Sequence, residues 1–188
     1  MALTPSTMLP LLTPLPQFEL PVVSRAVCSV DSEMAFEEVF CSETLPRKPL
    51  LIMMLCAHCP FVKHVELEVS KLAHDYVERV SLIGVASNSL ITHPQDGPTG
   101  LASQAHKIGW DFPYLFDFEQ SLAKSLRAAC TPEFFLFSPS TLGQQLLEYR
   151  GQLDNSRPGN NIEVTGKDLR SAMDSVLSGD NVDSNQKP

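Results

Sequence analysis

Residues 49–60 read Pro49-Leu50-Leu51-Ile52-Met53-Met54-Leu55-Cys56-Ala57-His58-Cys59-Pro60. The run from Pro49 to Leu55 is short, continuous and apolar, the pattern of a strand buried on both faces of a parallel sheet. Beyond it, Val62, Val65, Val69, Leu72 and Tyr76 recur at steps of three and four, which predicts an amphipathic helix reaching about Glu78. Val80 to Ala86, VSLIGVA, reads as a second buried strand. Strand, helix and strand make a βαβ unit with the right-handed crossover such units adopt. The two cysteines therefore fall where a buried strand becomes a helix.

Working outward, residues 1–25 form a Pro-rich arm with an extended piece from Phe18 to Val23. SEMAFEEVF at 32–40 predicts a short helix capped by Ser32, with Met34, Ala35, Val39 and Phe40 inward. Cys28 and Cys41, on either side of it, are expected as buried small hydrophobes. After the second strand come a polar loop and a helix from about Thr99 to Ile108, with Pro98 in its first turn. The loop GWDFPY carries Trp110 and Phe112, which either cover the site or anchor an insertion. A short helix is expected over Phe118 to Leu126, and two strands, 132–137 and 144–150, join through SPSTLGQ as a hairpin. Thr165 and Asp168 look like a capping-box variant opening a last helix whose apolar face is Leu169, Ala172, Met173, Val176 and Leu177. Gly179 ends it, and the polar residues 180–188 are expected to be disordered. The reading is one α/β domain over residues 26–179, between an arm and a tail.

The bulk numbers narrow the function. A length of 188 residues suits one domain with a sizeable core and is short for two. A formal charge of −8 argues against a nucleic-acid partner, since phosphate binding leans on clustered Lys and Arg and the densest cationic spot is only Arg47 to Pro49. No Lys or Arg precedes Arg25, and Pro5, Pro10, Pro14 and Pro16 interrupt the apolar leader, so neither a signal peptide nor a membrane span fits; the expectation is a cytoplasmic protein. Five cysteines do not build the dense framework of a secreted scaffold.

The chemistry sits at Cys56 and Cys59. A helix N-terminus offers unpaired N–H groups and a positive dipole end, both of which favour a thiolate. Cys56 is read as the nucleophile, and Cys59, about a turn further in and less exposed, as the thiol that resolves the mixed disulfide. His58, if protonated, adds positive charge and pushes the pair toward the oxidising end. A zinc knuckle needs a second Cys or His pair at matching spacing, and none is present. Cys130-Thr131-Pro132 stands before a strand, so the Thr-Pro bond is either an ordinary turn or a cis bond whose exposed backbone pairs with an extended substrate. Cys130 is then an auxiliary thiol beside the pair, or a structural cysteine. His74, His93 and His106 show no ligand spacing and read as surface or loop residues. The function that follows is thiol-disulfide exchange, with no cofactor and no metal, between protein or small-molecule disulfides and a thiol reductant. Its alternatives are a thiol peroxidase and a thiolate metal module using Cys56 and Cys59 with Cys130 or His58.

MLCAHCPFVKH, TPEFFLF and the stretch from Tyr149 to Gly179 together resemble the thioredoxin-like proteins of the alkyl hydroperoxide reductase and thiol-specific antioxidant (redoxin) superfamily, in a subgroup with a CxHCP motif. The resemblance spans roughly residues 49–178. It implies a thioredoxin-like fold, three-layer α/β/α with a central mixed sheet, an N-terminal extension and an inserted helix. It also implies that Cys56 and Cys59 are the redox pair and that Pro132 is the cis-proline, which fits the reading of Thr131 and Pro132 as the residues that meet the substrate. Ile52 to Leu55 replace the Pro-x-x-x-Thr-x-x-Cys arrangement of a peroxiredoxin, and Leu55 and Ala57-His58 replace the Trp and Gly-Pro of thioredoxin.

Overall fold

Leu50 to Met54 are all at most 1% exposed, so this strand must be covered on both faces and paired on both edges. The structure, a computed structural model, describes residues 4–23 and 38–188 and meets both demands. The central sheet has the order β5 (Tyr114–Phe116), β4 (Ser81–Ala86), β3 (Leu50–Met54), β6 (Glu133–Pro139), β7 (Gln145–Gly151). β3 lies parallel to β4, which is parallel to β5. On the other side β3 runs antiparallel to β6, and β6 to β7. The alternation of a strand separates its side chains cleanly: Leu51, Met53 and Leu55 join one core, Leu50, Ile52 and Met54 the other. α1 (Pro60–Tyr76), α2 (Pro98–Ile108) and α4 (Lys167–Ser178) cover the first face. α3 (Ser121–Ser125) and the arm residues Leu9, Phe18, Leu20 and Val22 cover the second. Each large apolar side chain buried this way stabilises the fold by about 1.5–3 kcal/mol. The result is the thioredoxin-like three-layer α/β/α fold with a mixed sheet. Among the described residues no helix is long and apolar enough to cross a membrane.

Several elements depart from expectation. Val39 and Phe40 belong not to a helix but to β2 (Val39–Cys41), which pairs antiparallel with β1 (Glu19–Pro21), and Glu38 before them is not helical; residues 32–37 of that expected helix lie outside the described residues, as does Cys28. Cys41 is half-buried rather than buried. The GWDFPY loop ends in β5, and its rings are anchors: Trp110 packs 5.2 Å from Phe112 and 5.6 Å from Tyr114, and its Nε1 donates to the Glu66 carbonyl of α1. Gly84 accepts this insertion, since a Cβ there would lie 2.9 Å from the Tyr114 ring. The capping box does not form. Gly166, at φ 66°, precedes α4, and the buried Asp154 carboxylate takes the Thr165 and Gly166 N–H groups at 2.7 Å each, while Asp168 accepts from Gln152. Residues 180–188, expected to be disordered, lie along β7: the Lys187 carbonyl accepts from Gln152 N at 3.0 Å, and Gln186 bonds the Glu148 carbonyl and the Arg150 N–H. The arm uses the same strand through Leu12 N to Leu147 O and Leu15 N to Gln145 O. Both termini thus satisfy backbone groups that an edge strand leaves open.

Candidate redox site

β3 ends against the loop after β4, and the chain between β3 and α1 has to turn there. Cys59 occupies the position just before α1, with φ −65° and ψ 124°, and Pro60 follows at the first helical position, where its missing N–H costs nothing. The Cys59 sulfur therefore faces the amides of Phe61 and Val62, and it lies 3.3 Å from the Thr131 carbonyl oxygen. Cys56 is fully buried, with its sulfur 3.2 Å from the Thr131 hydroxyl, and its carbonyl accepts from Gln104 of α2. The expected order of exposure is reversed: Cys59 is the half-exposed sulfur and Cys56 the enclosed one. The cause is cover, since Thr131 and α2 close over Cys56 while Cys59 opens onto a cleft.

The pair's protonation follows the same asymmetry. A hydrogen bond with Cys59 and then burial push the Cys56 thiol far up. The Cys56 partner first, and the Val62 and Phe61 amides with the Thr131 side chain after it, pull Cys59 down to about 5. The two sulfurs are thus tuned in opposite directions, and the half-buried Cys59 is the one a solute can reach.

Asp96, which sequence reasoning missed, organises the turn. It is wholly buried. Its Oδ1 accepts the N–H groups of Ala57 at 2.9 Å and His58 at 3.0 Å. Its Oδ2 takes His58 Nδ1 at 2.5 Å and Asn88 Nδ2 at 2.7 Å. It comes from a 3-10 turn, Pro94–Asp96, so the loop between β4 and α2 is clamped onto the cysteine turn. A lone Asp before Gly-Pro reads from sequence as a helix-start residue, and nothing in its spacing points to a turn 38 residues away. His93 lies in the loop before the 3-10 turn, as expected, and its contact was not foreseen: it stacks on His58 with ring centroids 4.3 Å apart.

Thr131 and Pro132 lie at the site as expected, and the Thr131–Pro132 bond is cis. Cys130 lines the same cleft as Cys59 and donates to the Glu133 carboxylate at 4.0 Å. Burial, then the charges of Glu133 and Cys59, push its thiol up to about 11, so it is protonated at neutral pH. The cleft measures about 360 Å³ and also takes in His58, His93, Asn88 and Lys124. Among the described residues, Cys56, His58 and Asp96 bring ligand atoms within 4.8 Å of one another, a spacing open to a metal ion. Asp96, however, already serves four N–H donors there.

Comparison with known proteins agrees with this architecture. Residues 12–144 match the model of the AhpC/TSA family. The chain is similar to the crystal structure of an uncharacterized conserved protein from Geobacillus kaustophilus, with 39% identity, a TM-score of 0.88, and coverage of 100% of this chain and 93% of that one. It is likewise similar to a hypothetical protein from Sinorhizobium meliloti 1021, with 33% identity, a TM-score of 0.85, and coverage of 98% and 93%. A thiol-disulfide isomerase from Corynebacterium glutamicum shares the fold at 21% identity and a TM-score of 0.59, over 87% of this chain and 97% of that one. A comparison with curated proteins gives no match.

Proposed function

The chain belongs to the AhpC/TSA family, and from that premise we propose that it is a thiol-disulfide oxidoreductase working through Cys56 and Cys59. The observation that carries the reading is the asymmetric pair itself: a half-buried sulfur just before a helix, drawn toward the thiolate by the amides it faces, beside a fully buried thiol at the start of the same turn. The sequence-based expectation gave the attack to Cys56; burial and the helix amides favour Cys59. In the proposed cycle, the Cys59 thiolate attacks one sulfur of a substrate disulfide, the substrate S–S bond breaks, and one substrate thiolate leaves. A mixed disulfide with Cys59 remains. Once Cys59 is bonded to substrate, the hydrogen bond that kept the proton on Cys56 is gone. Cys56 passes that proton to the departing thiolate and attacks the Cys59 sulfur, releasing the second substrate thiolate and leaving a Cys56–Cys59 disulfide. Two electrons have gone to the substrate, and a thiol reductant restores the dithiol. Thr131, at 3.2–3.3 Å from both sulfurs, is the positioning residue for the exchange.

The metal reading draws on Cys56, His58 and Asp96. It requires an ion to displace N–H donors that already satisfy a buried carboxylate, so exchange is the better-supported function.

Alkylation by iodoacetamide, followed residue by residue across pH, tests the assignment. A thiol lowered to about 5 is thiolate above that pH and loses its reactivity as pH falls through it. At about pH 7, Cys59 is expected to react first and Cys130 slower by at least about 10²-fold. Labelling that begins at Cys56 would return the nucleophile to that residue.

A further inference from the structure

The chain carries 22 Asp and Glu against 14 Lys and Arg, yet among the described residues the cleft over Cys59 has no carboxylate in its wall. What lines it is Lys124 of α3, the stacked imidazoles of His58 and His93, and the side-chain amides of Asn88 and Gln120, whose nitrogens give one N–H each, to Asp96 Oδ2 and the Ser87 carbonyl, and keep the second. The buried acids behind these walls have their oxygens occupied: Asp117, beneath α3, takes the Ser121 and Ala123 N–H groups. Asp96 lies behind His58, with both oxygens held by N–H donors. Glu133 is buried beneath Cys130, its carboxylate taking the Ser6 hydroxyl and the Ala129 N–H. Lys124 commits a single hydrogen bond, to the Glu119 carbonyl at 3.0 Å, so its ammonium keeps donors free. A concave site with cationic and N–H walls in an otherwise acidic protein concentrates anions. Its volume, about 360 Å³, falls near the small end of ligand pockets, which run from about 300 to 1,000 Å³.

Resting on the exchange reading, we propose that the preferred substrate is a low-molecular-weight disulfide bearing carboxylates, whose anionic groups meet Lys124 and the amide and imidazole donors while its S–S bond lies over Cys59. The reaction is the cycle above: the small disulfide takes up two electrons and leaves as two thiol molecules, and the chain leaves as the Cys56–Cys59 disulfide. Exposed Ile91 and Phe118, on the loops that follow β4 and β5, make a protein disulfide the competing outcome.

The test uses the full chain, reduced beforehand, with three disulfide probes: oxidised glutathione for carboxylates, hydroxyethyl disulfide as neutral, and cystamine for amines. Each second-order rate constant for oxidation of the reduced chain is divided by the probe's rate with free dithiothreitol, which removes differences between leaving thiols. The expected order is oxidised glutathione, hydroxyethyl disulfide, cystamine, with at least about tenfold between first and last at low ionic strength. That ratio should shrink in high salt. Lys124→Glu should lower the ratio of oxidised glutathione to hydroxyethyl disulfide by at least about threefold. Equal ratios, or a preference for cystamine, would overturn the charge selection while leaving exchange intact. Turnover of a protein disulfide such as insulin, with none of the three probes reduced, would overturn the small-substrate proposal in favour of a protein partner. Reduction of no disulfide at all would overturn the exchange reading itself.

Discussion

Cys59→Ser abolishes turnover of disulfide substrates, a loss of about 10⁴-fold or more, while Cys56→Ser halts the reaction one step later with substrate covalently held. The difference follows from what each sulfur faces. Cys59 opens to the cleft and is drawn toward the thiolate by its Cys56 partner and by the Phe61 and Val62 amides. A serine hydroxyl there has no comparable acidity and cannot attack a disulfide. Cys56 is sealed from solvent, so its replacement leaves the attacking sulfur reachable and removes only the thiol that releases the second half of the substrate. Intact-mass measurement after mixing with a small disulfide reads this directly: Cys56→Ser gains the mass of one substrate half, Cys59→Ser gains nothing. Cys56→Ser also loses the hydrogen bond that stabilises the Cys59 thiolate most, although a serine hydroxyl can restore part of it, so its first step should slow rather than vanish. Adduct formed on Cys56 in the Cys59→Ser variant would reverse the assignment.

Asp96→Asn gives the second-largest effect, and it acts through structure and charge together. The asparagine oxygen can keep the Ala57 and His58 N–H groups, but its amide nitrogen replaces Oδ2 and faces Asn88 Nδ2, donor against donor. A buried mismatch of this kind costs about 1–3 kcal/mol, visible in urea unfolding. Displacement of the turn by even a fraction of an ångström misaligns the sulfurs, for an expected fall of about 10²-fold in kcat/KM. The redox potential separates a charge effect from a strut. The Cys56 thiol is held up by its hydrogen bond to Cys59, by burial, and also by the Asp96 charge. Removing that charge favours deprotonation of the reduced pair, stabilises the reduced form and makes the potential more oxidising, by about 15–30 mV for about 0.7–1.4 kcal/mol. An unchanged potential alongside lost stability would reduce Asp96 to a purely structural role.

Much of this molecule is legible in its sequence, for a physical reason. β3 is central, paired on both edges and covered on both faces, so every residue from Leu50 to Met54 must be apolar, and the sequence records that demand. The periodicity of α1 and the turn residues of the β6–β7 hairpin are likewise local signals. The misses are non-local. β5 is three residues long, too short to display alternation, and exists because the edge of β4 pairs with it. Val39 and Phe40 become a strand through partners about twenty positions earlier in the chain, against a helical local pattern. The Thr165 cap lost to Asp154, a buried carboxylate that reaches the helix start from a different loop. At the site, the cysteine spacing declared itself, whereas the inverted exposure did not, because it depends on Thr131 and Gln104 closing over Cys56. Asp96 and His93 were invisible for the same reason: their significance lies in what the fold sets beside them.

The most direct test of the central claim is an equilibrium redox titration of the full chain in glutathione buffers, following free thiols, with metal content measured beforehand. A dithiol oxidoreductase shows a reversible two-electron couple in which Cys56 and Cys59 are the thiols lost, absent from both Cys56→Ser and Cys59→Ser. Absence of any couple in the unmodified protein, with a metal ion bound tightly and released by substitution of Cys56, His58 or Asp96, would contradict the account and make this site a metal centre.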